Sequence, residues 1–274
     1  MTGLAERIDG AWQALTPQEQ RVAGFLRARP DESALYNSSE LARLTGVSKA
    51  TVSRLYRRLG FAASSEVRDL LRAQRGTGLP VVVEQRGERV PALLAQELRN
   101  LQRLAAELDP AALEAAAEVL AAAARVRVVG LRSGGEVAMP LRQALAQARP
   151  DVALVPQQGQ SLGEELVGLT PRDAVVLVAL RRRPAGTRAL LSALASSPAA
   201  VVLVTEPGAP EAAGVEHRFS VPIESAGAFD SYAAASAFAA ALADAVLRRL
   251  GAAGAARVAD IDAAYRALGE LEAD

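Results

Sequence analysis

The segment from Ser38 to Gly60, SSELARLTGVSKATVSRLYRRLG, constrains the fold of this chain more than any other stretch. It predicts two short helices joined by a tight turn. Ser38 and Ser39 are candidate caps of the first helix, because a serine oxygen can accept an N–H group of the first turn. Gly46 ends that helix at the position where a left-handed residue is favoured. Ser48 then caps the second helix.

Each of the two predicted helices has an apolar face, and the second has a basic face opposite it. The inward positions are Leu41, Ala42, Leu44, Val47, Val52, Leu55 and Leu59, and the outer positions are Lys49, Ala50, Ser53, Arg54, Arg57 and Arg58. This is the helix-turn-helix pattern, in which the second helix enters the DNA major groove. An amphipathic hairpin with a solvated basic face is the alternative. The caps, the glycine and the one-sided charge together favour DNA binding.

The residue types of the hairpin predict which residues contact base edges and which contact the DNA backbone. Ala50, Thr51 and Ser53 are small and allow a close approach to the groove. Arg54 can reach a guanine edge or a phosphate, whereas the next two arginines suit the DNA backbone. The candidate DNA-binding residues are Ser38, Ser39, Ser48, Lys49, Ala50, Thr51, Ser53, Arg54, Arg57 and Arg58.

The charge of the chain is unevenly distributed, although the formal net charge is zero. Residues 1–76 hold twelve basic and eight acidic residues, so they carry +4 and the remainder carries −4. A basic head on an acidic body is expected when a DNA-reading module is attached to another domain. We predict a helix-turn-helix DNA-binding domain over 1–76, a linker over 77–90, and a sensing and oligomerisation domain over 91–274.

Composition excludes several classes of chemistry. The chain has no cysteine, which excludes disulfides, thiolate metal sites and a cysteine nucleophile. With one histidine, His217, neither a histidine metal cluster nor a serine–histidine relay is expected. No apolar run of about 18 residues and no signal peptide is evident. We therefore expect a cytoplasmic protein with no catalytic residues, no metal and no cofactor.

From residue 125 onward, apolar strand patterns alternate with helical ones, at 125–131, 151–156, 173–180, 199–206 and 217–222. The alternation predicts a doubly wound α/β domain with a parallel five-stranded sheet. A ligand of such a sheet binds beyond the carboxyl ends of the strands. The candidate ligand-binding residues there are Arg132, Ser133, Ser161, Arg181, Arg182, Thr187, Thr205 and Glu224. Before the sheet, a helix from Pro91 carries a leucine stripe that predicts core or subunit contact: Leu94, Leu98, Leu101 and Leu104.

These motifs resemble the RpiR (MurR/RpiR) family of bacterial transcription regulators. LTPQEQRVAGFL and SSELARLTGVSKATVSRLYRRLGF are similar to the helical head of that family, and the later part is similar to its sugar isomerase (SIS) domain. The resemblance covers nearly the whole chain. It implies a flavodoxin-like sheet that binds a phosphorylated sugar as effector without converting it. It also implies a homodimer or homotetramer on a palindromic operator in double-stranded DNA.

The chain departs from the family at the ligand site. Arg132 stands where the family's Gly-x-Gly-x-Ser turn has its second glycine. The family's Ser-x-Ser-Gly-x-Thr loop is replaced by Ala179-Leu-Arg-Arg-Arg-Pro-Ala-Gly-Thr187, in which Thr187 is the only hydroxyl, while Thr205 is retained. Three explanations remain open: the arginines bind an anion, they pair with acids of a partner subunit, or the site has lost its effector.

The sequence therefore predicts a DNA-binding transcriptional regulator, a repressor whose operator affinity is modulated by a small anionic metabolite, either a sugar phosphate or a sugar acid. The first alternative is a sugar-phosphate isomerase with an appended helical domain. Glu164, Glu165 and Glu224 are the only acids expected near the ligand edge, and His217 is expected at the opposite edge in a structural role. The second alternative is a DNA binder that responds to no effector.

Overall fold

The computed structural model describes residues 4–28, 33, 36–73 and 89–270. The chain divides into two compact units, residues 1–93 with 226–229, and residues 94–225 with 230–274. Most of the predicted linker, residues 77–88, lies outside the described residues. No helix in the described part is both long and apolar enough to cross a membrane.

The described part of the first unit contains a helical head. Its helices are α1 (Leu4–Ala11), which continues into a 3-10 turn (Trp12–Ala14), α2 (Pro17–Ala28), α3 (Ser38–Thr45), α4 (Lys49–Arg58) and α5 (Ser64–Ala73). Their inward faces form one apolar core that includes Leu4, Ile8, Val22, Leu26, Leu41, Val52, Leu55 and Leu59. The predicted helical head and its inward face on α4 are confirmed.

The second unit is built on a parallel sheet in the order β2-β1-β3-β4-β5. The strands are β1 (Arg125–Gly130), β2 (Val152–Val155), β3 (Asp173–Val178), β4 (Ala200–Thr205) and β5 (His217–Ser220). All six residues of β3 are buried, because this strand is central and covered on both faces. The predicted fold class, a helical head followed by a doubly wound five-stranded α/β unit, is confirmed.

Helices cover both faces of the sheet. The helices that follow the head in the described part of the chain are α6 (Arg89–Glu107), α7 (Pro110–Ala122), α8 (Gly135–Ala148), α9 (Leu162–Leu166), α10 (Thr187–Ala195), α11 (Ala233–Leu250) and α12 (Ala252–Leu268). One apolar core joins the sheet to α7, α8 and α11, and another joins its opposite face to α10. Helix α12 packs on α8 and α11.

Two details differ from the sequence predictions, and a third observation concerns the leucine stripe, for which core and subunit contact were both left open. Asn37, and neither Ser38 nor Ser39, caps α3, because its side-chain oxygen accepts the N–H groups of Ser39 (2.9 Å) and Glu40 (3.0 Å). Leu44 was placed on the apolar stripe of α3 but is 45% exposed. In the α6 stripe only Leu104 is buried, and the other three leucines are exposed.

An ion pair joins the beginnings of β1 and β3. Arg125 donates to both carboxylate oxygens of Asp173, from Nε at 2.9 Å and from Nη2 at 2.7 Å. The backbone N–H and the hydroxyl of Thr170 each add a hydrogen bond of 2.8 Å to the same carboxylate. The hydrogen bonds from Arg125 and Thr170 hold the pKa of Asp173 well below its usual range, against the effect of burial.

We expect Asp173→Ala to lower the free energy of unfolding by about 2 kcal/mol at pH 7, because several hydrogen bonds to a charged group are lost. Urea unfolding followed by circular dichroism measures this effect. Glu114→Ala is the matched control. The Glu114 carboxylate also accepts an arginine hydrogen bond, from Arg248 at 3.0 Å, but the pair is exposed and its loss should leave the urea midpoint nearly unchanged.

The same variant should reveal a pH dependence. The folded-state pKa of Asp173 is lowered, so its stabilising effect is complete above the unfolded-state pKa of about 3.9 and is lost as the pH falls below it. The difference between wild type and Asp173→Ala should therefore be smaller at pH 3 than at pH 7. An equal difference at both values would contradict the assignment.

Candidate functional site

The turn between α3 and α4 has the geometry that the sequence predicts. Gly46 has a φ of +66°, in the left-handed region, and ends α3. Ser48 caps α4, because its Oγ accepts the backbone N–H of Thr51 at 3.1 Å. The start of α4 is therefore fixed by local hydrogen bonds, which makes the position of its first residues well defined.

The outer face of α4 is basic and accessible. Lys49, Ala50, Arg54 and Arg57 are exposed, and Ser53 is half-buried. The first four of these residues along the chain are Lys49, Ala50, Ser53 and Arg54, and Arg57 follows them. Together they leave one face of the helix accessible to a polyanion. This arrangement suits a helix whose N-terminal half approaches base edges while later arginines reach phosphates.

Two candidate DNA-binding residues lie inside the head. Thr51 is 1% exposed and Ser38 is 9% exposed, which corrects their assignment to the DNA-facing surface. The Thr51 hydroxyl lies 2.9 Å from the Ser48 hydroxyl and 3.4 Å from Oε1 of Gln18 on α2. It also accepts a hydrogen bond of 3.1 Å from Nη2 of Arg54. Thr51 therefore orients Arg54 from inside the head.

Arg58 is exposed, and its guanidinium group contacts the body of the head. It donates to the carbonyl oxygen of Ala14 and lies 3.7 Å from the buried carboxylate of Glu19. Burial raises the pKa of Glu19, but the hydrogen bonds from Thr16 and the guanidinium groups of Arg58 and Arg54 outweigh it and lower that pKa. The Arg58 side chain is nevertheless 44% exposed, so its phosphate-contacting role stays a prediction.

The first loop at the carboxyl edge of the sheet is packed tightly against its neighbours. A Cβ atom on Gly134 would lie 2.3 Å from the carbonyl oxygen of Val178 at the end of β3. A Cβ on Gly130 would lie 2.3 Å from Cβ of Ala138. Between these glycines, Arg132 is exposed with a φ of +53°, and the Ser133 hydroxyl bonds to the phenol of Tyr232.

Arg181 and Arg182, called here the arginine pair, share one carboxylate. Nη2 of Arg181 donates to Oδ1 of Asp230 at 3.0 Å, and Nε of Arg182 lies 3.7 Å from Oδ2 of Asp230. The three side chains are 15%, 17% and 7% exposed, so the cluster is largely shielded from solvent. Arg182 has a φ of +71°, an unusual conformation for a residue other than glycine.

Arg183 forms a separate cluster on the β4 side. It donates to the carbonyl oxygen of Ala179 (2.8 Å), the hydroxyl of Thr205 (3.0 Å) and Oε2 of Glu206 (2.6 Å). Thr187 donates its hydroxyl to the carbonyl oxygen of Pro184. Arg183, Thr187 and Thr205 line a cavity of about 430 Å³ between α10 and residues 209–213. The structure thus divides the candidate ligand residues between two neighbouring places.

Glu224 lies at the base of the segment 223–231, which we call the edge loop. The loop's ends are joined by a hydrogen bond from Ser231 N–H to the carbonyl oxygen of Ile223 at 3.1 Å. Helix α6 holds the base, because Asn100 donates to the carbonyl oxygen of Glu224 at 2.7 Å and Glu97 accepts the Ser231 hydroxyl at 2.6 Å. Oε1 of Glu224 lies 3.5 Å from Nη1 of Arg103, whereas Oε2 is buried without a hydrogen-bond partner among the described residues.

Tyr232 follows the edge loop and faces the same cluster. Burial raises the pKa of its phenol, and nearby Asp230 and Glu136 raise it further, while the hydrogen bond with Ser133 and the charge of Arg182 oppose the rise. Ser133, Tyr232, Asp230 and the arginine pair therefore form one polar cluster at the ends of β1 and β3. This is the point where the strand order of the sheet reverses.

The remaining candidates lie away from this cluster. Ser161 is exposed and begins α9, where its N–H donates to Glu164 at 3.3 Å. Glu165 lies 4.0 Å from Arg127. His217 is the first residue of β5 and lies at the amino ends of the strands. The expectation that Glu164, Glu165 and Glu224 are the only acids near the ligand edge is wrong, because Glu206 and Asp230 also lie there.

The structure shows an arrangement that differs from the three explanations left open by the sequence, because the arginines pair with acids of their own chain. Asp230, Tyr232, Glu206 and Arg183 were missed as site residues. The signal for the acids is the arginine run itself, because consecutive guanidinium groups at a mostly buried edge require counter-charges.

Comparison with known proteins agrees with both units. Residues 2–74 match the family described as the helix-turn-helix domain of the rpiR family. The sugar isomerase domain of the RpiR transcription factor from Sphaerobacter thermophilus is 22% identical with a TM-score of 0.59, covering 64% of this chain and 99% of that one. The NanR protein of Vibrio vulnificus, complexed with ManNAc-6P, is 17% identical with a TM-score of 0.59, covering 97% of this chain and 99% of that one. No curated protein matches the chain.

These findings concern the two units separately. The head matches the helix-turn-helix domain of the rpiR family, and a helix-turn-helix domain implies DNA binding. The second unit has the fold of the sugar isomerase domain. The predicted resemblance is confirmed for the head by the family match and for the second unit by its fold.

Proposed function

We propose that the protein is a transcriptional regulator that binds operator DNA through α4, with an affinity that changes when a small anionic metabolite binds at the carboxyl edge of the sheet. The exposed basic face of α4, presented by a head of the rpiR family, carries this proposal. In this proposal the protein acts in the cytoplasm as a repressor. It does not convert the metabolite.

Within α4, the contacts of each arginine support different roles. Arg54 is oriented by Thr51, so its guanidinium group is held in place before DNA arrives and suits a base edge. Arg57 is exposed on the last turn of α4 and suits a phosphate. Lys49 begins the helix on the same face and adds a charge near its N-terminal end.

We expect Arg54→Ala to weaken binding to the preferred operator by about 1–3 kcal/mol and to relax preference at one or two base pairs. Arg57→Ala should instead weaken binding to all sequences alike and flatten its salt dependence. Selection of bound sequences from a random DNA pool identifies the operator, and titrations at several salt concentrations measure both effects.

Arg21→Ala is the matched control for these variants. Arg21 is an exposed arginine of the head, but it lies on α2, outside the basic face. Its removal should change neither specificity nor salt dependence. If Arg54→Ala and Arg57→Ala gave the same result, the division of roles between base and phosphate would be wrong. If no DNA sequence were enriched, the proposed function itself would fail.

The polar cluster supports the metabolite part of the proposal. Ser133, Tyr232 and the arginine pair offer hydroxyl and guanidinium donors at the point where ligands bind in this type of sheet. The similar NanR structure is complexed with ManNAc-6P, which also favours a sugar-derived anion.

Self-association of the chain completes the proposed mechanism. Leu94, Leu98 and Leu101 are 59%, 63% and 38% exposed on α6, and we propose that a second copy covers them. A dimer can place two heads about 34 Å apart on successive major grooves of a palindromic operator. A metabolite that changes this spacing would alter operator affinity by a coupling of about 1–3 kcal/mol.

A further inference from the structure

We propose that Asp230 makes the polar cluster selective for ligands with one negative charge, so that it takes a sugar acid in preference to a sugar phosphate. The inference rests on the proposed function, because it names the ligand class of the same site. The observation that carries it is a buried carboxylate placed between two guanidinium groups where an anionic ligand would otherwise bind both.

The position of Asp230 in the cluster is fixed by its neighbours. Each of its two carboxylate oxygens faces a different arginine of the pair, at 3.0 Å and 3.7 Å. Its side chain is only 7% exposed. The next residue, Ser231, is fixed at the base of the edge loop by its hydrogen bonds to Ile223 and Glu97. The carboxylate is thus held in position by the fold around it.

Asp230 lowers the charge that the arginine pair presents to a ligand. The two guanidinium groups carry two positive charges, and with Asp230 the three side chains together carry one. The attraction of a ligand to this charge grows in proportion to the ligand's own charge. The penalty for removing the ligand from water grows with the square of that charge, so it is about fourfold larger for a dianion. A shielded cluster of charge +1 therefore favours a monoanion.

The experiment compares the full-length wild type with D230N, which keeps the shape of the side chain and removes its charge. The probes are matched pairs at pH 7.5: gluconate with glucose 6-phosphate, mannonate with mannose 6-phosphate, and galactonate with galactose 6-phosphate, together with inorganic phosphate. Binding is measured by isothermal titration calorimetry. E114Q is the control, because it makes the same change in net charge on an exposed residue paired with Arg248.

We expect the wild type to bind at least one sugar acid more tightly than its matching phosphate. D230N should bind that phosphate and inorganic phosphate about tenfold more tightly than the wild type, while E114Q should resemble the wild type. The proposed selectivity would be wrong if the wild type preferred the phosphate, or if D230N had the same ratio of sugar-acid to sugar-phosphate affinity as the wild type. Neither result would contradict the anion site itself. Absence of binding by every probe to both proteins would overturn the site and the selectivity together.

R182Q provides a second test if D230N does not fold. It leaves Arg181 and Asp230 as a neutral pair, so the binding of the preferred sugar acid should fall at least about tenfold. Retention of wild-type affinity in R182Q would overturn the proposal. The net positive charge of Arg181, Arg182 and Asp230 would then not contribute to ligand binding.

Discussion

Replacing Gly134 with alanine is expected to lower the free energy of unfolding of the second unit by about 3 kcal/mol or more. The new Cβ would lie 2.3 Å from the backbone carbonyl oxygen of Val178 and 3.5 Å from its Cγ1. A backbone atom of the central strand cannot turn away as a flexible side chain can. The loop after β1 would have to move, and the adjacent Ser133 would move with it. Chemical denaturation measures the loss.

The next residue provides a matched control for this variant. Gly135 is the first residue of α8 and has helical angles (φ −63°, ψ −32°). Apart from its own helix and its chain neighbours, the atom nearest to a new Cβ is the carbonyl oxygen of Gly130 at 3.6 Å. Gly135→Ala should therefore be neutral or stabilise the protein by about 0.5 kcal/mol, because alanine reduces the conformational entropy of the unfolded chain. Similar losses in both variants would show that the close approach to β3 is not the cause.

The second large effect is expected at Arg149, where we predict that Arg149→Met lowers the free energy of unfolding by about 3 kcal/mol. Arg149 is 5% exposed and donates to the carbonyl oxygens of Leu120, Ala123 and Ala124 at the end of α7. It therefore satisfies the last carbonyls of that helix and places a positive charge at its negative end. Methionine fills similar space but leaves these buried carbonyl groups without a donor.

Burial lowers the pKa of Arg149, although nearby Asp151 opposes the shift. Arg142→Met is the control, because Arg142 makes one hydrogen bond to a backbone carbonyl, from Nε to Val152 at 3.3 Å. The same substitution there should lower the free energy of unfolding by less than about 1 kcal/mol. Urea unfolding of the two variants under identical conditions makes the comparison. A loss at Arg149 no greater than that at Arg142 would contradict the capping role.

The fold was predictable because its signals are local. The nearly continuous apolar run at 173–180 indicates a strand covered on both faces, and β3 is buried along its whole length. Gly46 and Ser48 mark the turn of the helix-turn-helix through backbone angle and capping, which depend only on neighbouring residues. The error at Asn37 has the same origin, since asparagine and serine are almost equally good caps.

The polar cluster was only partly predictable, because its contacts join distant parts of the chain. Asp230 is 49 residues from Arg181 and lies just before α11, which begins at Ala233. Thr51 was assigned to the DNA-facing surface because its size suited a close approach. Its burial follows from the packing of α4 on α2, which the periodicity of α4 alone does not reveal.

The hydrogen bonds that Arg54 donates to Thr51 and that Thr51 donates to Gln18 have a consequence for the proposed base recognition. A long side chain that is already hydrogen-bonded in one orientation loses less rotational entropy when it meets DNA. It is also poorly able to swing toward an alternative base, so a mismatch leaves its donors unsatisfied. If Arg54 reads a base as proposed, Gln18, on a helix outside the basic face, contributes to sequence discrimination by supporting Thr51.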